Sequence, residues 1–332
     1  MSNFALKSVF MAAMAAASAL SHAQWAGLGS YVNVGTYALP TLSPNLPTAG
    51  SSKEFEASAV TWNRDTNTLF MLGDGGGYVM ETTLTGTPLG YMKLPAGSSP
   101  QNNEFYDPEG LAYIGNGQFV MTEERYRTAV KFNYVADSTL LRSQTSTVKL
   151  ATTVGNTGLE GVTYDPLTGG FIFVNETGGT GGSLQNIFQT QIDFAAGTAS
   201  NGSPTTVNNT PLFPAANIGF GSLNDVFALS NVYGPEVAGS DHVLVLTHTG
   251  IKELTRAGTV VGSLALAGPQ YEVEGISMDA DGRIYLVSDN GNAGTFSTLF
   301  VYAPVPEPAS CALLLAGLAA VSGTARRRAP RA

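Results

Sequence analysis

The sequence predicts an all-β fold of the β-propeller class, and three observations carry that prediction. One phrase recurs five times: an acidic residue opening an apolar strand, a turn, and a second apolar strand ending in another acid. The copies lie 49 to 65 residues apart, the length of a four-stranded propeller blade. Helical periodicity is absent between the two ends of the chain.

The opening strands are clearest at Asp107-Pro108-Glu109-Gly110-Leu111-Ala112-Tyr113, Leu159-Glu160-Gly161-Val162-Thr163-Tyr164 and Val273-Glu274-Gly275-Ile276-Ser277-Met278. Weaker copies are Ser58-Ala59-Val60-Thr61-Trp62 and Asp225-Val226-Phe227-Ala228-Leu229. Turns rich in Gly, Asn, Asp or Pro follow, as hairpins require. The second strands stop at Asp74, Glu124, Glu176, His248 and Asp289. A third strand completes each unit and often a fourth, but the last unit ends at Tyr302 with three. The orphan apolar stretch Tyr31 to Leu39 is therefore expected to complete the last blade, closing the ring without a free sheet edge. Five copies favour five blades; a degenerate unit between Asp193 and Leu223 would make six.

The ends carry different signals. Lys7, an apolar stretch through Leu20 and the small-x-small site Ser21-His22-Ala23 read as a signal peptide over 1–23. The propeller then spans 24–303. Over 304–332 come Val305-Pro306-Glu307-Pro308, an apolar run from Cys311 to Val321, and a basic end containing Arg326, Arg327, Arg328 and Arg331. This arrangement resembles the PEP-CTERM sorting signal. The resemblance implies a Gram-negative source, transient membrane insertion, processing by an exosortase-type enzyme, and delivery to the outer surface or an extracellular polysaccharide matrix. A plain tail anchor is the alternative, since the Arg cluster fits the positive-inside rule in either case.

The chain has a net charge of −9, and losing Lys7 with four C-terminal arginines brings the processed domain near −14. Such a surface repels phosphate backbones, which argues against nucleic acid, and attracts divalent cations. The one cysteine, Cys311, lies in the sorting segment, so the mature domain has no disulfide or thiol chemistry.

Within the domain, Val60 to Phe70, Asp107-Pro108-Glu109-Gly110-Leu111-Ala112-Tyr113, Gln118 to Arg125 and Glu274 to Asp279 resemble the SdiA-regulated family of β-propellers. The resemblance runs from about Glu54 to Tyr302 and departs in the fourth unit, where Asp225-Val226 replaces a small-residue turn. It implies a propeller with a calcium ion near the central channel.

The first strand of a blade lines the channel, so Glu109, Glu160, Asp225 and Glu274 are expected to form a ring. Like charges that close repel and call for a cation, a proton or wide hydration. Calcium fits, with its six to eight oxygen ligands. Zinc does not, because only His242 and His248 remain after signal removal. The competing role for these acids is to accept backbone hydrogen bonds and set register between blades. For the second column, Asp74, Glu124, Glu176 and Asp289, structural capping leads, with ligand binding by Asp74 and Asp289 as the other reading. Arg125 is a candidate for an anionic or sugar ligand, against pairing with neighbouring carboxylates. Trp62, Tyr113 and Tyr164 are expected to pack between blades.

Two functions follow. One is a calcium-binding propeller serving as a binding or scaffold module at the cell surface. The other is a calcium-dependent phosphoesterase, lactonase or esterase in which Glu124 or Glu176 activates water. A glycosidase would need two acids about 5 to 10 Å apart across a cleft.

Overall fold

The computed structural model describes residues 25–40, 55–73, 77–95, 97, 104–155, 157–176, 186–214, 222–266, 273–289 and 296–305. They form a five-bladed β-propeller. Strand β1 (Tyr31–Ala38) precedes blade one, which contains β2 (Ala57–Asn63), β3 (Thr68–Gly73), β4 (Tyr78–Thr82) and β5 (Pro88–Lys93). Blade two holds β6 (Pro108–Gly115), β7 (Gln118–Glu123) and β8 (Thr128–Asn133), then β9 (Ser138–Thr139) and β10 (Ser146–Lys149). Blade three is β11 (Leu159–Asp165), β12 (Gly170–Asn175) and β13 (Asn186–Thr190), followed by a small ribbon, β14 (Ile192–Asp193) with β15 (Thr198–Ala199). Blade four is β16 (Asp225–Ala228), β17 (Val243–Thr247), β18 (Gly250–Leu254) and β19 (Val260–Ala265). Blade five is β20 (Val273–Met278), β21 (Ile284–Ser288) and β22 (Thr298–Pro304).

The expected closure is present. β1 pairs antiparallel with β22 from Tyr31↔Pro304 to Ala38↔Thr298, giving blade five its fourth strand. Ring closure therefore joins the two ends of the domain in one sheet. A second latch was not foreseen: β9 leaves blade two to pair in parallel with β5, Met92 opposite Ser138, as a fifth strand of blade one. The favoured count of five holds, and the stretch that would have held a sixth unit contributes the β14–β15 ribbon and a single bridge, Ile187↔Phe213, among its described residues.

The second strands read as continuous apolar runs because both of their faces are buried. Alternation assigns each face to a different neighbour. In β3, Leu69 and Met71 pack towards blade five with Tyr285 and Val287, while Phe70 and Leu72 pack towards blade two with Phe119 and Met121. Each of the five clusters of buried apolar side chains lies between two adjacent blades. The core of this protein is thus a set of interfaces around the axis.

Near the axis the inner strands approach until backbone meets backbone. A Cβ on Gly110 would lie 2.7 Å from Glu160 O, on Gly161 2.5 Å from Asp225 Cα, and on Gly275 2.7 Å from Val60 N. These are the glycines that follow the repeated acid. A hydroxyl column staples the same strands: Trp62 N donates to Ser277 Oγ at 2.9 Å, Tyr113 N to Thr61 Oγ1 at 3.1 Å, and Ala228 N to Thr163 Oγ1 at 3.2 Å. Leu111, Val162, Val226 and Ile276 close one end of the channel, leaving a cavity of only about 20 Å³.

Among the described residues no helix is long and apolar enough to cross a membrane. The signal peptide, Asp74 and nearly all of the sorting segment lie outside the described residues.

Gly275→Ala is expected to destabilise the domain by about 1 to 3 kcal/mol, because the new methyl meets backbone that cannot move aside. Gly29→Ala, with nothing within 4 Å, is expected to stay within about 0.5 kcal/mol of the parent. Denaturant melts of the two variants check this, and equal losses would contradict the close-approach argument.

Candidate functional site

Antiparallel pairing within a blade sets the start of the first strand beside the end of the second: Leu159 faces Asn175, Val273 faces Ser288, and Pro108 faces Glu123. The two acidic columns therefore meet at one end of the channel, in a cavity of about 460 Å³. Glu109, Glu160 and Glu274 line it from the first column, and Glu124, Glu176 and Asp289 from the second. Among the described residues, Glu56 and Asp107 bring the total to eight carboxylates, with Arg125 as the one lysine or arginine.

The bulges explain why the first-column acids face the cavity. Register shifts by one residue between Ala57 and Ala59, Pro108 and Leu111, Leu159 and Gly161, and Val273 and Gly275. Ser58, Glu109, Glu160 and Glu274 are the bulged residues, and a bulge re-aims the side chain it displaces.

Asp225 departs from the expected ring. It stands where the other blades have the residue after the acid: it lies opposite Leu246, whose carbonyl also accepts Asn224 N at 3.0 Å, and its Cα faces Gly161 as Gly161 faces Gly110, so its carboxylate turns into the protein and is 2% exposed. It accepts N–H groups from Val226 and Ile276, each at 2.8 Å, and from Val162. Burial pushes this carboxyl well above its usual range, against the pull of the three N–H donors. Asp225 joins blades three, four and five, the register role weighed from the sequence. Asn224 stands in the mouth instead, its Nδ2 donating to Val273 O at 2.8 Å and Glu274 Oε2 at 3.0 Å, with His248 Nδ1 2.9 Å away.

The dense cluster from Glu123 to Arg127 is divided by the turn that follows β7. Glu123 is buried, paired with Arg142 and accepting from Tyr106 N. Glu124, 2% exposed, points into the mouth, where its Oε1 accepts Gly158 N at 2.9 Å. Arg125 Nε lies 2.6 Å from Asp107 Oδ2 and 3.5 Å from Glu124 Oε2, and Nη1 donates to Tyr106 at 2.9 Å. Arg125 thus takes the pairing role. Arg127 is fully buried and donates to Val207 O and Asn209 Oδ1.

Two groups of carboxylates offer ligand oxygens within 4.8 Å of one another: Asp107, Glu109 and Glu124, and Glu124, Glu160 and Glu176. Glu124 belongs to both. At such distances two ionised carboxylates repel by roughly 1 kcal/mol in water and about 4 at an effective dielectric of 20. The protonation states respond. Burial, a hydrogen bond with Asp107 and the Asp107 charge push Glu124 up to about 8, against Gly158 N and Arg125. Glu160 is also pushed well above the usual range, first by burial and then by the charges of Glu109, Glu124, Glu176 and Glu274. Asp107 holds a left-handed backbone, φ 55°, at the point where β6 begins. Asp107, Asn224, His248, Glu56 and Ser58 were not singled out as site residues from the sequence, although the first opened the repeat and His248 ended a second strand.

The profile of the SdiA-regulated family matches residues 45–292. The chain belongs to the SdiA-regulated family. A PEP-CTERM protein-sorting motif matches residues 304–329, a signal for export to the cell envelope or surface through exosortase-type machinery. Among solved structures, this family member is similar to a glutaminyl cyclase from Myxococcus xanthus, at 13% identity over 82% of this chain and 95% of that one, TM-score 0.45. It is also similar to a gluconolactonase from Xanthomonas campestris, at 10% identity over 83% and 99%, TM-score 0.46. Similarity of this degree carries no argument about ligand or reaction.

The raised Glu124 carboxyl sets a pH dependence. The folded chain keeps this proton up to about 8, whereas an unperturbed glutamate releases it near 4.5, so the folded state binds more protons between those values and loses stability as pH rises through them. In chelator, Tm is expected to fall from pH 5 to pH 8, and Glu124→Gln to flatten much of that slope. A flat or rising wild-type profile in thermal melts would contradict this assignment.

Proposed function

We propose that the chain is a surface-delivered propeller whose channel mouth binds calcium, and that it acts as a binding or scaffold module, with extracellular polysaccharide as its partner. The observation that carries this reading is the pair of carboxylate groups sharing Glu124. Two oxygens on opposite sides of a calcium ion at about 2.4 Å would be about 4.8 Å apart, within the spread of each group. The donor set is the one calcium favours: carboxylate oxygens, with the Asn224 carbonyl beside them and no thiol. His248 is the one imidazole lining the mouth, too few nitrogen ligands for a typical zinc site. Calcium would also offset the burial, and the like-charge repulsion added to it, that hold protons on Glu124 and Glu160.

Calcium is expected to raise Tm by several degrees in a saturable titration. Glu124→Gln with Glu160→Gln should abolish the increment. Asp225→Asn should lower Tm in chelator yet keep the increment, because its oxygens accept backbone N–H groups. No shift in the wild type would end the calcium reading, and loss of the increment in Asp225→Asn alone would return that residue to the ring.

A second reading, a calcium-dependent phosphoesterase, lactonase or esterase, draws on one feature. Glu124 carries its proton at neutral pH, is hydrogen-bonded to Asp107 and belongs to both carboxylate groups. That state suits a general acid placed to protonate a leaving oxygen, with Glu176 left to accept a proton from water. Calcium in the mouth, held in this reading by carboxylates other than Glu124 so that Glu124 keeps its proton, would supply charge stabilisation. Phosphomonoesters, lactones and simple esters assayed with and without calcium decide between the readings. If one is turned over, Glu124→Gln should lower kcat by about 10²- to 10⁴-fold; turnover of none would sink the hydrolase.

A further inference from the structure

The chain leaves the ring at a defined place. Val305 N donates to Ser30 O at 2.8 Å, so β22 ends beside the start of β1, on the outer edge of blade five. The apolar run of the sorting segment begins at Cys311, six residues beyond Val305. An extended chain spans at most about 3.6 Å per residue, so that run starts within about 20 Å of the edge. A domain of this length has a radius of gyration of roughly 19 Å, and a headgroup layer takes up about 5 to 8 Å on each side of a bilayer. The tether is too short for a distant part of the ring to meet a membrane that holds the run.

The surface around the exit has the matching chemistry. β1 contains no charged residue, and its Val32 and Val34 are 46% and 56% exposed. β19, the outer strand of blade four, is also uncharged, with Val260 and Val261 39% and 50% exposed. The turn Leu28–Ser30 connects them, packing on β19 before running into β1. With Val305, half exposed, these strands carry five of the eleven large apolar side chains exposed among the described residues. Sheet edges open to water are ordinarily blunted by charge or by a covering strand. Blade one follows that rule, with β9 over β5, and so does blade two, where β10 ends in Lys149.

We propose that, while the sorting segment is in the membrane, the propeller rests edge-on against the lipid through the outer strands of blades four and five. This orientation depends on the reading of 311–321 as a membrane segment. The uncharged strands bring no ionised group into the headgroup layer, and the valines lose water there.

The test uses the full chain with Cys311→Ser and a single new cysteine, Val34→Cys, Val261→Cys or Val135→Cys, each labelled with an environment-sensitive dye. Val135 is 58% exposed in the connection that follows β8 of blade two, the blade opposite the edge shared by blades four and five. Each protein is reconstituted with phosphatidylcholine vesicles and floated. At positions 34 and 261 emission should rise about twofold or more and be quenched by nitroxide placed at the headgroups, as for a group entering the interface. Position 135 should not change. Flotation with equal responses at all three positions, or with none, overturns the orientation alone. Failure to float removes the membrane segment and the proposal together. A response at 34 and 261 that needs no vesicles and grows with protein concentration assigns the edge to a second copy and overturns the proposal.

Discussion

The structure depends on how closely five inner strands can approach one axis. Where Gly110, Gly161 and Gly275 pass the next blade, backbone contacts backbone and no side chain fits. Glycine meets that constraint at the cost of side-chain packing. The residue just before each glycine sits in a bulge, and its side chain turns towards the only open space, the mouth of the channel. The repeated Glu-Gly pair is therefore one device with two parts. One lets the ring close, and the other concentrates negative charge where it closes.

That concentration is opposed by everything electrostatic in the neighbourhood. Eight carboxylates share a cavity of about 460 Å³, and the protein answers with Arg125 against Asp107 and Glu124 and with protons held on Glu124 and Glu160. Such a site resembles a charge-compensated binding pocket more than a stabilising feature, because burying like charges weakens a fold unless a counter-charge is supplied. Stability comes from elsewhere: five apolar interfaces between blades, the hydroxyl staples, and the β1–β22 closure that lets no blade separate without breaking a sheet. The separation leaves one end of the channel lined by carboxylates while apolar side chains narrow the other.

The fourth blade shows how far a repeat can be read. Aligned by pattern, Asp225 belongs with Glu109, Glu160 and Glu274. In space Asn224 holds the position of those acids and Asp225 that of the glycine after them, so the side chain that reaches the mouth comes from Asn224 and the acid goes inward to hold three backbone N–H groups. A one-residue slip moves a side chain to the other face of a strand, and the spacing of acids does not reveal that the acid of this unit stands one position further along. Arg125 and Glu123 are similar cases. Both lie in one charged run, yet the turn after β7 sends one to Asp107 and the other to Arg142.

The sequence by itself determined the propeller, its five units, its closure by an N-terminal strand and the presence of two acidic columns. These follow from local features, strand length, turn residues and alternation, repeated often enough that chance errors in one unit are corrected by the others. Tertiary structure alone decided which acids face one another, that the two columns meet in one cavity, that β9 crosses to blade one, and that Asp225 is a strut while Asn224 lines the mouth. Those outcomes turn on bulges and on contacts between residues distant in the chain, whose energies depend on distances of a few ångströms that one-dimensional spacing does not contain.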